Sequence, residues 1–300
     1  MEYIKVSENV YVMYPLLNSN LVRGAASTVP TTCIAIPDEL IFVDCGSYPY
    51  LSSQFRSDME KKFQRRATYL LLTHLHWDHF LAMGAFKDIK IVAPELGIPQ
   101  FNNFINTINN TEDHLWRVSL LIEDDEIIKI VKNAEFFIPN ILVKEEIRIG
   151  SKENEVIFCV VGGHSIDSSY VYYPHDRVLC SGDNLLECFA QIPGTPEHTL
   201  KILSQWESLN IKKIIPGHGA IINKDYLIKV KSYYEDLVSV LENLIDNNIS
   251  RKKILNHPDL PIYFARNDPN WSESSRQGLN WIEVVIQNWY RYLKRIHRNK

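Results

Sequence analysis

The chain of 300 residues is long enough for one large or two ordinary domains. Its 45% hydrophobic and 23% charged residues exclude a disordered or collagen-like protein, and its net charge of −4 gives no general attraction to nucleic acid or to acidic membranes. No apolar run approaches the roughly 18 residues of a membrane span, Met1-Glu2-Tyr3-Ile4-Lys5 lacks a signal-peptide core, and cysteines 33, 45, 159, 180 and 188 stand singly with no CxxC pair. That cysteine usage fits reduced thiols, so a cytoplasmic protein is expected.

In chain order, Thr32–Ile36 and Leu40–Val43 flank Pro37-Asp38-Glu39 and predict a hairpin. Leu51, Phe55, Met59 and Phe63 recur every four residues, predicting an amphipathic helix with Ser52 and Ser53 near its start as a cap. Tyr69–Leu72 is a continuous apolar run, the pattern of a strand buried on both faces, and Lys90–Ala93 is another short strand. Residues 96 to about 140 change character. Phe101, Phe104, Ile105 and Ile108 predict a helix among asparagines, and Pro139-Asn140 closes a segment read as an insertion. Strands resume at Glu146–Ile149 and Val156–Val161, and a second hairpin joins Tyr170–Tyr173 to Val178–Cys180.

Thr195-Pro196-Glu197 carries the signals of a helix start, the stripe Leu200, Leu203, Trp206 and Leu209 continues it, and Lys213–Ile215 is the next strand. Leu227, Val230, Tyr234, Leu237, Leu241 and Leu244 mark one face of a long helix, and a last helix covers about 274–296. Strands alternating with helices predict a layered α/β sandwich. The expected division is a catalytic domain over residues 1–223, including the insertion, and a helical extension over 224–300 packed on it.

The chemistry concentrates in Thr73-His74-Leu75-His76-Trp77-Asp78-His79, directly after the buried strand. In an extended chain His74 and His76 face the same side and converge on one point, while Asp78 and His79 follow one turn on and face a second. A single histidine is ordinarily a packed or surface residue, but three imidazoles and a carboxylate in six residues suit a borderline divalent metal. Three more candidate ligands end strand-like runs in glycine-containing turns: His164 in Gly162-Gly163-His164, Asp183 in Gly182-Asp183, and His218 in Gly217-His218-Gly219. Ligands on loops at strand ends form a site held by a rigid scaffold.

These motifs, together with Val43-Asp44-Cys45-Gly46, resemble the metallo-β-lactamase superfamily in order over roughly residues 10–220. The resemblance implies a four-layered αββα sandwich with the site at one edge of the two sheets. It implies that His74, His76 and His164 hold one metal, that Asp78, His79 and His218 hold a second, that Asp183 bridges both, and that Asp44 orients the His74–His79 loop from behind. The ligands are all nitrogen or oxygen, so the two divalent ions are expected to be zinc first, with iron, manganese or cobalt also suited. Two such ions bring the pKa of a bound water toward about 7 and polarise a scissile carbonyl, and Asp78 is placed to pass a proton to the leaving group. The expected reaction is hydrolysis of a small ester-like substrate (lactone, ester or thioester).

Departures narrow the resemblance. A bridging Asp183 separates the chain from true zinc β-lactamases. Lactonases of the superfamily place a tyrosine three residues after the bridging aspartate, where this chain has Leu186, and the glutathione-binding residues of glyoxalase-II-like thioesterases find no match. The alternatives are a mononuclear iron persulfide-type dioxygenase, which would use only the first set of ligands, a phosphodiesterase or nuclease, which the acidic balance disfavours, and a metal-binding protein without catalysis. The basic run Arg291, Lys294, Arg295, Arg298 and Lys300 reads as a solvated helix end whose cations suit the helix dipole. Some of Phe101, Phe104, Trp116, Phe136, Phe137, Tyr263, Phe264, Trp271, Trp281 and Trp289, with Trp77, are candidates to roof a pocket, with core packing the plainer role for any one. A small-molecule substrate is expected, with no nucleic acid and no membrane, and a homodimer is left open.

Overall fold

Four strands pair in sequence order at the start of the chain: β1 (Ile4–Lys5), β2 (Val10–Met13), β3 (Thr31–Ala35) and β4 (Leu40–Val43). They belong to a computed structural model that describes residues 3–15, 29–110, 125–187, 194–261 and 281–298. β3 and β4 form the expected hairpin, with Ile34 opposite Ile41. From β4 the chain crosses through helix α1 (Pro49–Phe63) to β5 (Tyr69–Leu71), which pairs with β4 in parallel. Parallel neighbours need such a crossover. Strands β6 (Lys90–Pro94) and β7 (Ile141–Val143) extend this seven-stranded sheet, also in parallel.

Two details differ from the sequence reading. Pro49 opens α1 with Tyr48 at the cap position, and Ser52, instead of capping, donates its hydroxyl to the Cys45 carbonyl at 2.6 Å. The preset φ of proline starts a helix without an Asx or Ser cap. The segment read as an insertion contains α2 (Ile98–Asn110) and α3 (Asp125–Asn133) and then returns to the sheet as β7, so it serves as the β6–β7 crossover. Asn140 fixes that return by accepting the Ile91 N–H at 2.8 Å.

The second sheet runs β12-β11-β10-β9-β8, from β8 (Glu146–Ile149), β9 (Val156–Val160), β10 (Ser169–Tyr173), β11 (Val178–Gly182) and β12 (Lys213–Pro216). Its pairs are antiparallel except β11–β12, which α4 (Pro196–Ser208) connects. Thr195 caps α4 as expected, accepting the His198 N–H, and Asn223 caps α5 (Lys224–Asp246). A short helix α6 (Arg251–Ile254) and α7 (Trp281–Arg298) complete the described chain. The part of the last helix expected before residue 281 lies outside the described residues.

Side-chain alternation sorts the sheets into layers. Ile34, Ile41, Val43, Leu71 and Val92 of the first sheet meet Val156, Phe158, Val171, Val178 and Ile215 of the second in a core between the sheets. The opposite faces, with Cys33, Phe42 and Leu70, pack against Phe55 and Met59 of α1 and Phe101 and Phe104 of α2. On the other side Tyr170, Leu179 and Ile214 pack against Trp206 of α4, Leu227 to Leu244 of α5, and Trp289 of α7. The result is the αββα sandwich. Phe101, Phe104 and Trp289 are therefore core residues, with Phe136 and Phe137 packed at the edge of one core. Trp116, Tyr263, Phe264, Trp271, the Trp281 side chain and Cys188 lie outside what is described. Among the described residues no helix is long and apolar enough to cross a membrane.

Candidate metal centre

The carboxyl ends of β4, β5, β9, β11 and β12 reach the same edge of the sandwich, and each delivers a polar loop. After β5, Leu75 turns back into the outer core while His74 and His76 face the other way, their ring centroids 4.5 Å apart. A one-turn helix over Trp77–Phe80 then places Asp78 and His79. His164 follows β9 on Gly162-Gly163, where Gly163 has φ 116 and a side chain would strike Asn184. Such a turn is open to glycine and strained for other residues. Asn184 clamps it from across the site, accepting the His164 N–H at 2.8 Å and donating to the Gly162 carbonyl at 2.7 Å. His218 follows β12 on Gly217, whose lack of a side chain leaves room for the Asp183 carboxylate.

The seven predicted residues gather into two adjacent groups, His74, His76, His164 and Asp183 in one, and Asp78, His79 and His218 in the other. Asp183 stands between them. Its Oδ2 lies 3.7 Å from His74 Nε2, 3.5 Å from His164 Nε2 and 3.4 Å from His218 Nε2, and its Oδ1 lies 3.2 Å from His79 Nε2. His218 Nε2 also lies 3.4 Å from Asp78 Oδ2. Among the described residues His74 Nε2 and His164 Nδ1 are buried without a hydrogen-bond partner, and His79 Nε2 has only the Asp183 carboxylate to face. His164 Nε2 and His76 Nδ1 face each other at 3.1 Å. Buried polar atoms are ordinarily satisfied, so a concentration of orphaned nitrogens around carboxylates is a donor set that fits divalent cations.

Electrostatics agree. Burial, reinforced by His79, pushes the His74 imidazole well below its ordinary value, and burial lowers His164 as well. Burial would also lower His79 and His218, but the Asp183 carboxylate outweighs it and raises both. Asp183, despite its own burial, is held well below the usual carboxylate range by His218 and His79. A negative charge fixed among neutral and protonated imidazoles marks where a cation would be stabilised.

The sequence profile described as the metallo-beta-lactamase superfamily matches residues 27–218. The chain belongs to that superfamily. Its members are generally hydrolytic enzymes. Among solved structures, a metallo-beta-lactamase from Pontibacter korlensis is 15% identical, with a TM-score of 0.54 over 78% of this chain and 99% of that one. A metallo-beta-lactamase family protein from Thermus thermophilus is 16% identical, with a TM-score of 0.57 over 81% and 84%. A double mutant of the sec-alkyl sulfatase PisA1 is 16% identical, with a TM-score of 0.61 over 97% of this chain and 50% of that one. No curated protein sequence matches significantly.

In this superfamily member the supports behind the site are as specific as the seven residues. Asp44, at the end of β4 with φ 50, accepts the Thr73 N–H and hydroxyl, each at 2.8 Å, and faces His79 Nδ1 at 2.9 Å. That is the position the superfamily resemblance implies for it. Asp167 and Asn184 were not anticipated. Asp167 is wholly buried and accepts the Leu75 N–H at 2.8 Å, pinning the middle of the His74–His79 loop. Asn184 was visible only as the neighbour of Asp183, with no spacing signal to mark it. Leu186 is buried, and its carbonyl accepts the Tyr226 hydroxyl at 3.2 Å.

Proposed function

We propose that this protein is a binuclear metal-dependent hydrolase of small ester-like substrates: lactones, esters or thioesters. His74, His76 and His164 would hold one ion, Asp78, His79 and His218 the other, and Asp183 both. The observation that carries this reading is the placement of Asp183, with one oxygen toward His79 and the other toward His74, His164 and His218. The all nitrogen-and-oxygen donor set suits zinc, and equally iron, manganese or cobalt. When bound, such ions polarise a carbonyl oxygen and make water acidic enough to supply a nucleophile near neutral pH.

The remaining steps belong to the chain's own groups. Asp44 accepts from His79 Nδ1, which fixes the proton on that nitrogen and turns the Nε2 lone pair toward the site. His76 and His164 are only half-buried, whereas His74 and His79 are fully enclosed, so substrate approaches from the side of the first pair. Asp78, nearly buried beside His218, is placed to take up a proton and deliver it to the departing alkoxide or thiolate. The complete second triad favours hydrolysis over a mononuclear oxygenase, which would leave Asp78, His79 and His218 without a role. Leu186 provides no hydroxyl where the lactonases have one, so lactones, thioesters and simple esters enter the test on equal terms.

The test is elemental mass spectrometry on protein purified without a chelating tag, followed by assays on lactones, thioesters, carboxylic esters, phosphodiesters and a sec-alkyl sulfate. About two ions per chain and turnover confined to the first three classes are expected. One iron per chain with oxygen consumption, or no bound metal after reconstitution, overturns the proposal. Turnover of only the sulfate or phosphodiester overturns the substrate class.

A further inference from the structure

Away from the metal centre, a cavity of about 330 Å³ opens where α6 meets the carboxyl-terminal half of α7. Its lining is Arg251, Tyr290, Arg291, Lys294, Arg295 and Arg298, five cations and a tyrosine with no acidic residue. The four cations of α7 fall at spacings of three, four and seven, so they share one face of the helix. Elsewhere on the protein some basic side chains are paired with acids: Lys231 with Glu207 and Glu235, Arg148 with Glu146 and Glu155. Among the described residues, none of the five around this cavity forms an ion pair, and the nearby Asp246 carboxylate is taken by His297 at 2.8 Å.

The helix dipole accounts for only part of this charge. Its effect is confined to the last turn, which covers Arg295 and Arg298 but neither Arg291 nor Arg251, the latter on a separate element. Several of the cations are also held in place. Tyr290 is anchored through its hydroxyl to the Ile249 carbonyl at 2.6 Å and accepts from Lys294 Nζ at 3.1 Å. Arg251 donates to Gln287 at 2.5 Å, and the Arg295 guanidinium lies over the Tyr292 ring. The opposite face of α7, with Val285, Ile286, Trp289 and Leu293, is buried in the core, so no apolar anchor for a lipid surface accompanies the charge.

We propose that this cavity binds a small molecule carrying a chain of phosphates, at a site separate from the metal centre. Guanidinium forks match phosphate oxygens in pairs, and several fixed cations suit a ligand of three or four negative charges better than a single carboxylate. The volume lies at the small end for ligand pockets, enough for a triphosphate chain. Helix α5 begins six residues after His218, and His297 of α7 pairs with Asp246 at its other end. At 1.5 Å per residue its 23 residues span about 34 Å. The ligand is therefore held as an effector or tether and is not the group being hydrolysed. The inference stands whether or not the reaction proposed above is the right one.

The test is calorimetric titration of the metal-loaded protein with inorganic tripolyphosphate and, separately, with ATP at low ionic strength, with metal content measured before and after. The wild type is expected to bind tripolyphosphate, and more weakly as salt is raised. The paired substitution Arg291→Gln with Arg295→Gln should weaken binding at least tenfold, and Arg251→Gln severalfold, with unaltered melting temperature and metal content. Equal affinity for the two ligands would identify the phosphate chain as the recognised group. Tighter binding of ATP would add a contact to the nucleoside. No binding, or binding that the substitutions leave unchanged, overturns the proposal. So does binding of a single-stranded RNA without binding of tripolyphosphate.

Discussion

Replacing Asp44 with asparagine separates shape from charge at the support behind His79. The left-handed φ of 50 at this position is one that asparagine adopts readily, so the backbone is not disturbed. The carboxylate is buried and engages three partners: Thr73 N at 2.8 Å, Thr73 Oγ1 at 2.8 Å and His79 Nδ1 at 2.9 Å. The amide oxygen retains the Thr73 N–H, which leaves the amide nitrogen facing the other two. Thr73 adapts because its hydroxyl oxygen accepts an amide N–H as readily as its proton is donated to a carboxylate. His79 adapts only by accepting at Nδ1, which moves its proton to Nε2, the atom that faces Asp183 Oδ1. Exchanging three charge-assisted hydrogen bonds for neutral ones costs about 1–3 kcal/mol, within the usual 5–15 kcal/mol of a folded protein, so the variant should fold. The wrong tautomer should weaken metal binding by roughly 10–100-fold, the range seen for lost partners behind metal ligands. Competition with a chromophoric chelator measures the affinity, and a thermal melt checks the fold. Metal affinity within twofold of wild type in a folded variant would refute the claim that Asp44 sets the His79 tautomer.

His218→Ala removes a group of the second set and leaves the first intact. About one ion per chain should remain and turnover should fall by at least 100-fold, and retention of two ions by elemental analysis would show that His218 is no ligand. Metal loading should weaken as pH falls. Because Asp183 raises His79 and His218 above the ordinary histidine value near 6.5, both carry protons in the metal-free protein through and below that range, and a metal must displace them. Titrations in buffers of different ionisation enthalpy should report proton release on metal binding at pH values at and somewhat above 6.5, where an ordinary histidine is already largely neutral, and no release would contradict the argument. Trp289→Phe deletes the indole bond to the Gly194 carbonyl at 2.9 Å, beside the backbone of Gly163 in the His164 turn. A net loss of about 1 kcal/mol should lower the melting temperature by about 2–4 °C, and an unchanged melt would show that water replaces the bond. Phe42→Ala should cost about 3–5 kcal/mol, because Phe42 is fully buried between Phe55 and Phe86. A loss below about 1 kcal/mol in chemical denaturation would mean the core closes over the gap.

What the sequence showed and what it hid follow one physical division. His74, His76, Asp78 and His79 are legible because local spacing alone places them: two alternate residues of an extended chain, then one helical turn. His164, Asp183 and His218 were legible because each follows an apolar strand and sits among glycines. Asp44 was placed only through the superfamily resemblance. The alternation in β4 and β5 was harder to read, since every position is apolar and only the fold decides that Ile41 faces the second sheet and Phe42 faces α1. Asp167 left no trace, and Asn184 showed only as the neighbour of Asp183. Each acts on backbone far away in sequence, Leu75 in one case and Gly162 with His164 in the other, and long-range contacts of a polar side chain with the main chain have no period. The cap of α1 was misread for a simpler reason: Pro49 and the two serines compete as start signals, and the fixed φ of proline prevailed.

The charges explain why these seven residues need something more than one another. Asp183 lowers its own cost of burial by favouring protonated His79 and His218, so part of the site is balanced internally by protons. That solution does not extend to His74 and His164, whose burial favours the neutral form. Their Nε2 atoms lie within 3.7 Å and 3.5 Å of a carboxylate oxygen while remaining uncharged. Neutral imidazoles converging on a carboxylate supply lone pairs and little countercharge, an arrangement that a cation satisfies and a network of hydrogen bonds does not. A cation there competes with the protons of the neighbouring group, because both draw on the charge of Asp183. Filling one set of ligands should therefore lower the proton affinity of the other and prepare it for a second ion. That lowering is to be seen as proton release on titrating metal into metal-free protein.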